Sequence, residues 1–394
     1  MSSIKNSASR GVFLWSSAEG AHHHREDVHL FHLHMGAFVY IIQAYITSHL
    51  QSADIGLILN IAPSFLLHAK LETFFFQPLS QFMSSKPDYQ PGEFQWSFLH
   101  PKYWGVWIGI VFLMILAILP WAIQHRLATL LGNLSFKYLK SRRKTTVRNL
   151  EVCFPEWSAQ EVLENARLVF VDQMLGVFET LNAWYSPKWF TGRVSIEGLE
   201  HIQKAQAEGK GALLLGTHST LLDAGGYLCA QYFEPDVVYR PQNNPLLDML
   251  IYRCRATIYA HQIDHDDMRG LVRNLKNGHA IWYSPDQDFG LKQGVMAPFF
   301  GVPAATVTAH RRLLKMTKAA AIPLYFYRDG DIKNPQYKVL IEPAVENLPS
   351  EDEVDDATRV NQIIENQLRI APTQYMWFHR RFKTRPAGYD KIYS

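Results

Sequence analysis

The feature that most constrains this chain is an uncharged stretch from Tyr103 to Gln124, YWGVWIGIVFLMILAILPWAIQ. Its 22 residues would extend roughly 33 Å as one helix, close to a hydrocarbon core of about 30 Å. Such a segment must leave water, either inside a bilayer or as the buried helix of a soluble core. Tyr103, Trp104, Trp107 and Trp121 lie near its ends, as an aromatic belt would. Pro120 kinks it or marks its exit. Lys102 precedes it, whereas Arg126, Lys137, Lys140, Arg142, Arg143, Lys144 and Arg148 follow. That imbalance predicts one transmembrane helix with everything after it in the cytoplasm. The basic run from Lys137 to Arg148 reads as a surface against anionic head groups or as a solvated helix face.

Residues 1–97 are harder to read. His22, His23, His24, His29, His32 and His34 are conspicuous, but no Asp or Cys framework at ligand spacing accompanies them. Gly36 to Leu50 and Ile55 to Leu67 are apolar, yet each is too short to span a bilayer. No basic n-region or cleavage pattern marks a signal peptide. KPDYQPG, from Lys86 to Gly92, looks like a linker. The formal net charge of +3 makes no case for nucleic acid. Cys153, Cys229 and Cys254 form neither a CxxC nor a disulfide framework, so a reduced, cytosol-facing domain is expected.

Beyond the uncharged stretch the pattern changes. Ser158 to Tyr185 reads as helix, with Ser158 and Glu161 at capping-box spacing. Strand-like runs follow at 212–215, 236–239, 280–283, 319–327 and 337–341. Helical patterns lie between them at 245–253, 266–277, 306–317 and 357–369. This alternation predicts an α/β fold with a mixed central sheet flanked by helices.

The chemistry concentrates where those strands end. In GALLLGTHSTLLD, Gly211 to Asp223, a buried strand ends just before His218. Ligands of open α/β sheets bind outside the carboxyl ends of the strands. Asp223, five positions on, could fold back to orient His218 as a general base. It could equally be an early helix carboxylate favoured by the dipole, with His218 a core histidine. Asp286 and Asp288, in SPDQDFG, follow another strand and could bind a metal, orient a base or cap a turn. Arg240, Arg253 and Arg255 flank a helix and could capture phosphate or carboxylate. His310, Arg311, Arg312, Lys315 and Lys318 form one basic cluster, and His379, Arg380, Arg381, Lys383 and Arg385 another. Each would suit an acidic partner, anionic lipid or plain solvent.

Taken together, several segments resemble one family. LHPKYWGVWIGI, VRNLEVCFPE, VYRPQNNPLLD, WYSPDQDFG and QYMWFHRRFKTRP occur in the order found in the secondary acyltransferases of Gram-negative lipid A biosynthesis. These are the bis-Kdo-lipid IV(A) lauroyl or myristoyl acyltransferases, and the resemblance runs from about Phe98 to Gly388. VYRPQNNPLLD and HRRFKTRP are more similar to the branch that adds the first secondary chain. The resemblance implies a glycerolipid-acyltransferase-like domain over 127–394, preceded by a single transmembrane helix and flanks over 98–126. It implies acyl transfer from acyl carrier protein to a 3-hydroxyacyl hydroxyl of a Kdo-bearing lipid A precursor, at the bacterial inner membrane and without metal or cofactor. His218 and Asp223 match the family's His and acidic residue, Arg255 its arginine and Asp286 its aspartate. Arg240, Asp288, Arg311, Arg312, Arg381 and Lys383 are then expected to contact substrates.

Two other readings compete. One is a metal-dependent hydrolase using His218, Asp286 and Asp288. The other is a non-catalytic lipid-binding protein. The 97 residues before the family's usual start are an extension of unknown role, and a chain beginning at Met83 is expected to retain attachment and activity.

Overall fold

The computed structural model describes residues 91–393. The histidine tracts, the two short apolar runs and Met83 lie outside the described residues. Contacts divide the chain into two compact units, and the described part of the first is Trp96–Phe112. Two short 3₁₀ turns, Trp96–Leu99 and Pro101–Tyr103, lead into helix α1, Trp104–Ile118. The first turns are locked by two indoles, with Trp104 Nε1 donating to Leu99 O at 3.0 Å and Trp107 Nε1 to Phe98 O at 2.9 Å. Among the described residues, Pro101–Ile118 is the one helix long and apolar enough to cross a membrane.

The second unit contains the rest of α1 and everything after it. The uncharged stretch is not one helix. It breaks at Leu119 and Pro120, and α2 runs from Trp121 to Tyr138. Pro120 lacks the N–H that a continuous helix would need, and its ring disfavours helical geometry in the residue before it. Side chains answer the carbonyls freed by the break, and Ser186 Oγ donates to Ala117 O at 3.1 Å. Gln124 Nε2 donates to Leu116 O, Ala117 O and Leu119 O at 3.1, 3.2 and 2.9 Å. Asn182 of the domain holds that amide from the other side, its Nδ2 donating to Gln124 Oε1 at 2.9 Å.

Helices α3 (Lys140–Cys153) and α4 (Ala159–Tyr185) follow. The expected capping box starts α4: Ser158 N–H donates to Glu161 Oε2 at 2.7 Å and Glu161 N–H to Ser158 Oγ at 3.3 Å. The basic run predicted around 137–148 lies mostly on α3, where Lys140, Lys144 and Arg148 are exposed.

Nine strands come next. They are β1 (Val194–Glu197), β2 (Ala212–Leu215), β3 (Pro235–Tyr239), β4 (Gln262–Asp264), β5 (Ala280–Tyr283), β6 (Gly294–Phe299), β7 (Val302–Val307), β8 (Ala320–Asp329) and β9 (Gln336–Ile341). Interleaved with them are α5 (Leu199–Ala207), α6 (Leu222–Ala230), α7 (Pro245–Arg255), α8 (Met268–Lys276) and α9 (Ala309–Thr317), and α10 (Glu353–Ile370) follows β9. Seven strands form one sheet in the order β1-β9-β8-β2-β5-β3-β4, antiparallel only between β8 and β9. This is the expected mixed sheet.

Its centre is β2, buried along its whole length. Leu213 and Leu215 point into a core with Leu150, Val360 and Ile364. Ala212 and Leu214 point into the opposite core with Leu228, Ile258 and Phe326. The two-fold alternation of a strand thus buries both faces, which is why ALLL reads as a continuous apolar run. The β6–β7 hairpin lies apart from this sheet and packs on α10, with Asn361 Nδ2 donating to Pro298 O at 2.8 Å. The sequence pattern had assigned 306–307 to a helix. They end β7 instead, and α9 begins at Ala309.

A buried ionic cluster ties α4 to the sheet. Arg328 of β8 donates to Glu179 Oε1 at 2.7 Å and to Asp172 Oδ1 at 2.6 Å, and Tyr337 Oη donates to Glu179 Oε1 at 2.8 Å. Removing one partner of a buried pair leaves an uncompensated charge and costs about 3–5 kcal/mol. Arg328→Met is therefore expected to lower unfolding stability by about that amount, read by denaturant titration in detergent. A loss below about 1 kcal/mol would show that the cluster is not what fastens α4 to the sheet.

Candidate active site

Strands β2 and β5 pair in parallel, with Leu215 opposite Tyr283. Three residues beyond Leu215 stands His218, and three beyond Tyr283 stands Asp286. Equal overhangs from in-register strands bring the two side chains together. Asp286 Oδ1 lies 2.5 Å from His218 Nδ1, while its Oδ2 accepts the His218 backbone N–H at 2.8 Å. The carboxylate is fully buried, and the imidazole keeps 27% of its side-chain surface exposed.

Glycine makes this approach possible at two points. A Cβ on Gly216 would sit 2.1 Å from the Trp282 ring, and one on Gly176 of α4 would sit 1.9 Å from Thr220 O. The loop after β2 is thus clamped between an indole and a helix backbone. A strap from the C-terminal region closes it. Thr220 N–H donates to Gln374 O and Met376 N–H to His218 O, both at 3.0 Å, and Ser219 forms an antiparallel bridge with Tyr375. Gln374 is held in turn by β8, its Nε2 donating to Arg328 O at 2.7 Å.

The electrostatics follow from this enclosure. Burial disfavours the imidazolium of His218, but the Asp286 charge and its hydrogen bond together outweigh burial and raise the pKa above 6.5. Burial also disfavours the Asp286 anion, yet His218 and its backbone N–H hold that carboxyl well below the usual range. Behind the pair, Tyr375 Oη lies 3.4 Å from Asp286 O and 3.2 Å from His379 Nε2. His379 Nδ1 lies 2.8 Å from Met376 O, and burial pushes its pKa down to about 4.

Asp223 does not orient His218 as anticipated. It lies in the first turn of α6 and pairs with Arg255, the last residue of α7. Arg255 Nε donates to Oδ1 at 2.8 Å and Nη2 to Oδ2 at 3.0 Å, a planar two-point contact. The reason is geometric. Asp286 already occupies both the ring nitrogen and the backbone N–H of His218. The pattern HxxxxD therefore joins two dyads rather than one, His218–Asp286 and Asp223–Arg255.

Other anticipated residues divide sharply. Arg240 is exposed just past β3, on the same carboxyl edge of the sheet as His218. Lys383 is exposed, and so is Arg312 on α9. Three residues are engaged within the fold. Asp288 accepts from the N–H and Oγ1 of Thr384 at 2.7 and 2.9 Å and from Gly290 N–H at 2.9 Å. Arg311 pairs with the buried Asp356 at 2.5 Å. Arg381 is wholly buried, donating to Ala305 O, Thr306 Oγ1 and Asn361 Oδ1 at 2.7, 3.1 and 3.2 Å, so it fastens the hairpin to α10. The two basic clusters are likewise not continuous surfaces. His310 and His379 point inward, and burial pushes His310 down to about 4. The strap itself was missed. Its available signal was the aromatic run of QYMWFHRRF, whose Tyr375, Trp377 and Phe382 are fully buried.

A histidine held by a buried aspartate at a sheet edge is an arrangement that can take a proton from a hydroxyl, and several reaction classes use it. Comparison with known proteins gives the family. Residues 92–384 match the bacterial lipid A biosynthesis acyltransferases, and the chain belongs to that family. It is 38% identical over 304 residues to the lipid A biosynthesis lauroyltransferase of Escherichia coli (strain K12), covering 76% of this chain and 98% of that protein. It is 36% identical over 307 residues to the palmitoleoyltransferase of the same strain, at 76% and 98% coverage. Identity to the myristoyltransferase of that strain is 28% over 310 residues, at 77% and 94% coverage. The lauroyl and palmitoleoyl relatives thus share more with this chain than the myristoyl one. The protein is an acyltransferase of lipid A biosynthesis.

The two-dyad geometry makes a specific expectation. Asp223→Asn and Arg255→Lys each break the same two-point contact, so their effects on kcat/KM for lipid acylation will not add. The double variant should lose clearly less than the product of the single losses, a coupling of about 0.5–3 kcal/mol. Simple additivity would mean that the two residues act separately.

Proposed function

We propose that His218 is the general base for transfer of a fatty acyl chain from acyl carrier protein to a 3-hydroxyacyl hydroxyl of a Kdo-bearing lipid A precursor. The observation that carries the reading is the His218–Asp286 contact of 2.5 Å, doubled by the backbone N–H bond. With Nδ1 engaged by Asp286, Nε2 is the nitrogen that takes the proton. The hydroxyl oxygen attacks the thioester carbonyl as its proton passes to Nε2. The tetrahedral intermediate then expels the thiolate, which regains that proton from the imidazolium. Asp286 stabilises the imidazolium while it exists. Base help of this kind is worth about 10²–10⁴ in rate.

Arg255, held flat by Asp223, and Arg240 are the cations suited to a phosphate or a developing oxyanion near that edge. A groove of about 860 Å³ lined by Lys140, Arg143, Lys144, Arg148 and Arg380 suits the acidic carrier or the lipid phosphates. Asp288 is committed to Thr384 and Gly290, which removes the second carboxylate that a metal-dependent hydrolysis at His218 and Asp286 would use. The lauroyltransferase relative, at 38% identity, supports a lauroyl-type donor.

The same reading places the protein at the cytoplasmic face of the inner membrane, with a single pass. Pro101–Ile118 would supply it, since 18 residues reach roughly 27 Å. Ile123, Leu130, Leu131 and Leu134 leave an exposed apolar set on α2 that would rest in the interface.

Two measurements test the chemistry. His218→Ala should cut acyl transfer by about 10²–10⁴ while the protein still folds and fractionates with membranes; near-normal turnover would end the base assignment. The pH profile gives the sign. A base works only when neutral, so kcat/KM should fall as pH drops through a value above 6.5. Asp286→Asn removes the charge that raises His218, so burial then dominates. Its acid limb should move to lower pH while its plateau falls. An unmoved limb would mean that another group titrates.

A further inference from the structure

A second constellation of titratable side chains lies at the amino edge of the same sheet, at the opposite end of the strands from His218. Asp236 is the second residue of β3 and its carboxylate is fully buried. His261 immediately precedes β4 and His279 immediately precedes β5, and β3 lies between those two strands. Ladder bonds fix both backbones, with Val237 N–H donating to His261 O and Ala212 N–H to His279 O, each at 3.0 Å. His261 Nδ1 sits 3.0 Å from Asp236 Oδ1, and His279 Nδ1 sits 3.1 Å from Oδ2. The two rings meet edge to face with centroids 4.8 Å apart. Both remain reachable, with 53% and 28% of their side-chain surface exposed.

We propose that Asp236, His261 and His279 form a divalent transition-metal site, of the zinc or cobalt class, that staples β5, β3 and β4 at the edge away from the reaction. Three arguments support it. The first is distance. Ligands of a tetrahedral zinc ion at about 2.0–2.1 Å stand about 3.3 Å apart. His261 Nδ1 and His279 Nδ1 already stand 3.0 and 3.1 Å from the two oxygens of the one carboxylate, and one ligand atom from each residue lies within 4.8 Å of the others. The second is proton balance. Each imidazole now faces the carboxylate through Nδ1. Moving its proton to Nε2 keeps the ring neutral and turns the Nδ1 lone pair to the ion, so binding by the neutral rings releases no proton. The third is support behind the ligands. Asn274 Nδ2 donates to Asp236 Oδ2 at 2.9 Å and fixes the carboxylate plane, as outer-shell partners do. Two imidazoles and one carboxylate favour zinc or cobalt over magnesium or calcium, and leave a fourth position for water.

The test uses the full chain with His22, His23, His24, His29, His32 and His34 replaced by Asn, so that these tracts do not compete. Titration with Co²⁺ should give visible d–d bands of tetrahedral intensity that saturate at one equivalent. Zn²⁺ should raise the melting temperature by several degrees and Mg²⁺ should not. His261→Ala and His279→Ala should each abolish the bands and the zinc shift while acyl transfer stays at the parent level. His261→Gln can still donate a hydrogen bond to Asp236. It should keep the metal-free melting temperature of the parent and still lack the bands, which separates ligation from packing. No cobalt band in the parent, or a band that survives all three substitutions, overturns the site.

Discussion

The in-register parallel pairing of β2 with β5 is the constraint on which the site depends. Backbone bonds between two buried strands place Leu215 level with Tyr283. The meeting of His218 and Asp286 is then a matter of counting residues past that level. Because side chains alternate along a strand, a slip of one residue would turn Leu213 and Leu215 out of one core and into the other. Each core would then receive side chains of the wrong size, and that packing cost helps to fix the His218–Asp286 geometry. The carboxylate is therefore positioned in part by packing energy far from the chemistry. Enclosure does the rest: a buried anion beside an imidazole raises one pKa and lowers the other, and the strap through Tyr375 pins the loop that carries the imidazole.

Much of the charge in this chain is spent on architecture. Arg328, Arg311 and Arg381 each carry a guanidinium into a buried or half-buried place and meet carboxylates, carbonyls or an amide there. A planar donor with five N–H groups can satisfy several elements at once, which lysine cannot. Arg381 also lies 4.7 Å above the Phe299 ring, so its removal would cost packing as well as hydrogen bonds. For that reason, a basic cluster in the sequence is a poor guide to a basic surface here. Lys140, Lys144 and Arg148 on α3 do remain exposed, and Arg148 still donates to Ile392 O at 3.1 Å and pairs with Glu151 at 3.0 Å.

The sheet was legible because its central strands are short, apolar and bounded by glycine or polar residues. The strands predicted at 212–215 and 280–283 match β2 and β5 residue for residue. Less visible were β4, with only three residues, and the β6–β7 hairpin, whose Pro298 and Pro303 argue against a ladder. His218 is legible from its place after a buried strand, and Asp286 as a carboxylate whose loop could bind a metal, orient a base or cap a turn. That Asp286 rather than Asp223 holds the imidazole is not legible. Sequence spacing measures distance along the chain, and Asp223 is near in that sense alone. Asp286, 68 residues away, is near through the register. The strap was illegible for the same reason. Nothing in QYMWFHRRF states which loop it will meet, although its aromatic content states that it will be inside.

The break between α1 and α2 carries a consequence of its own. An interrupted helix exposes carbonyl dipoles, and in a medium of low dielectric each would be costly to leave unanswered. Here the Gln124 amide reaches three of them, Ser186 Oγ donates to Ala117 O as well, and Asn182 holds the amide in place. The corner at 116–124 thus carries its own hydrogen-bond partners. Side chains of the same compact unit answer these carbonyls, so the break does not depend on the surrounding medium to satisfy them.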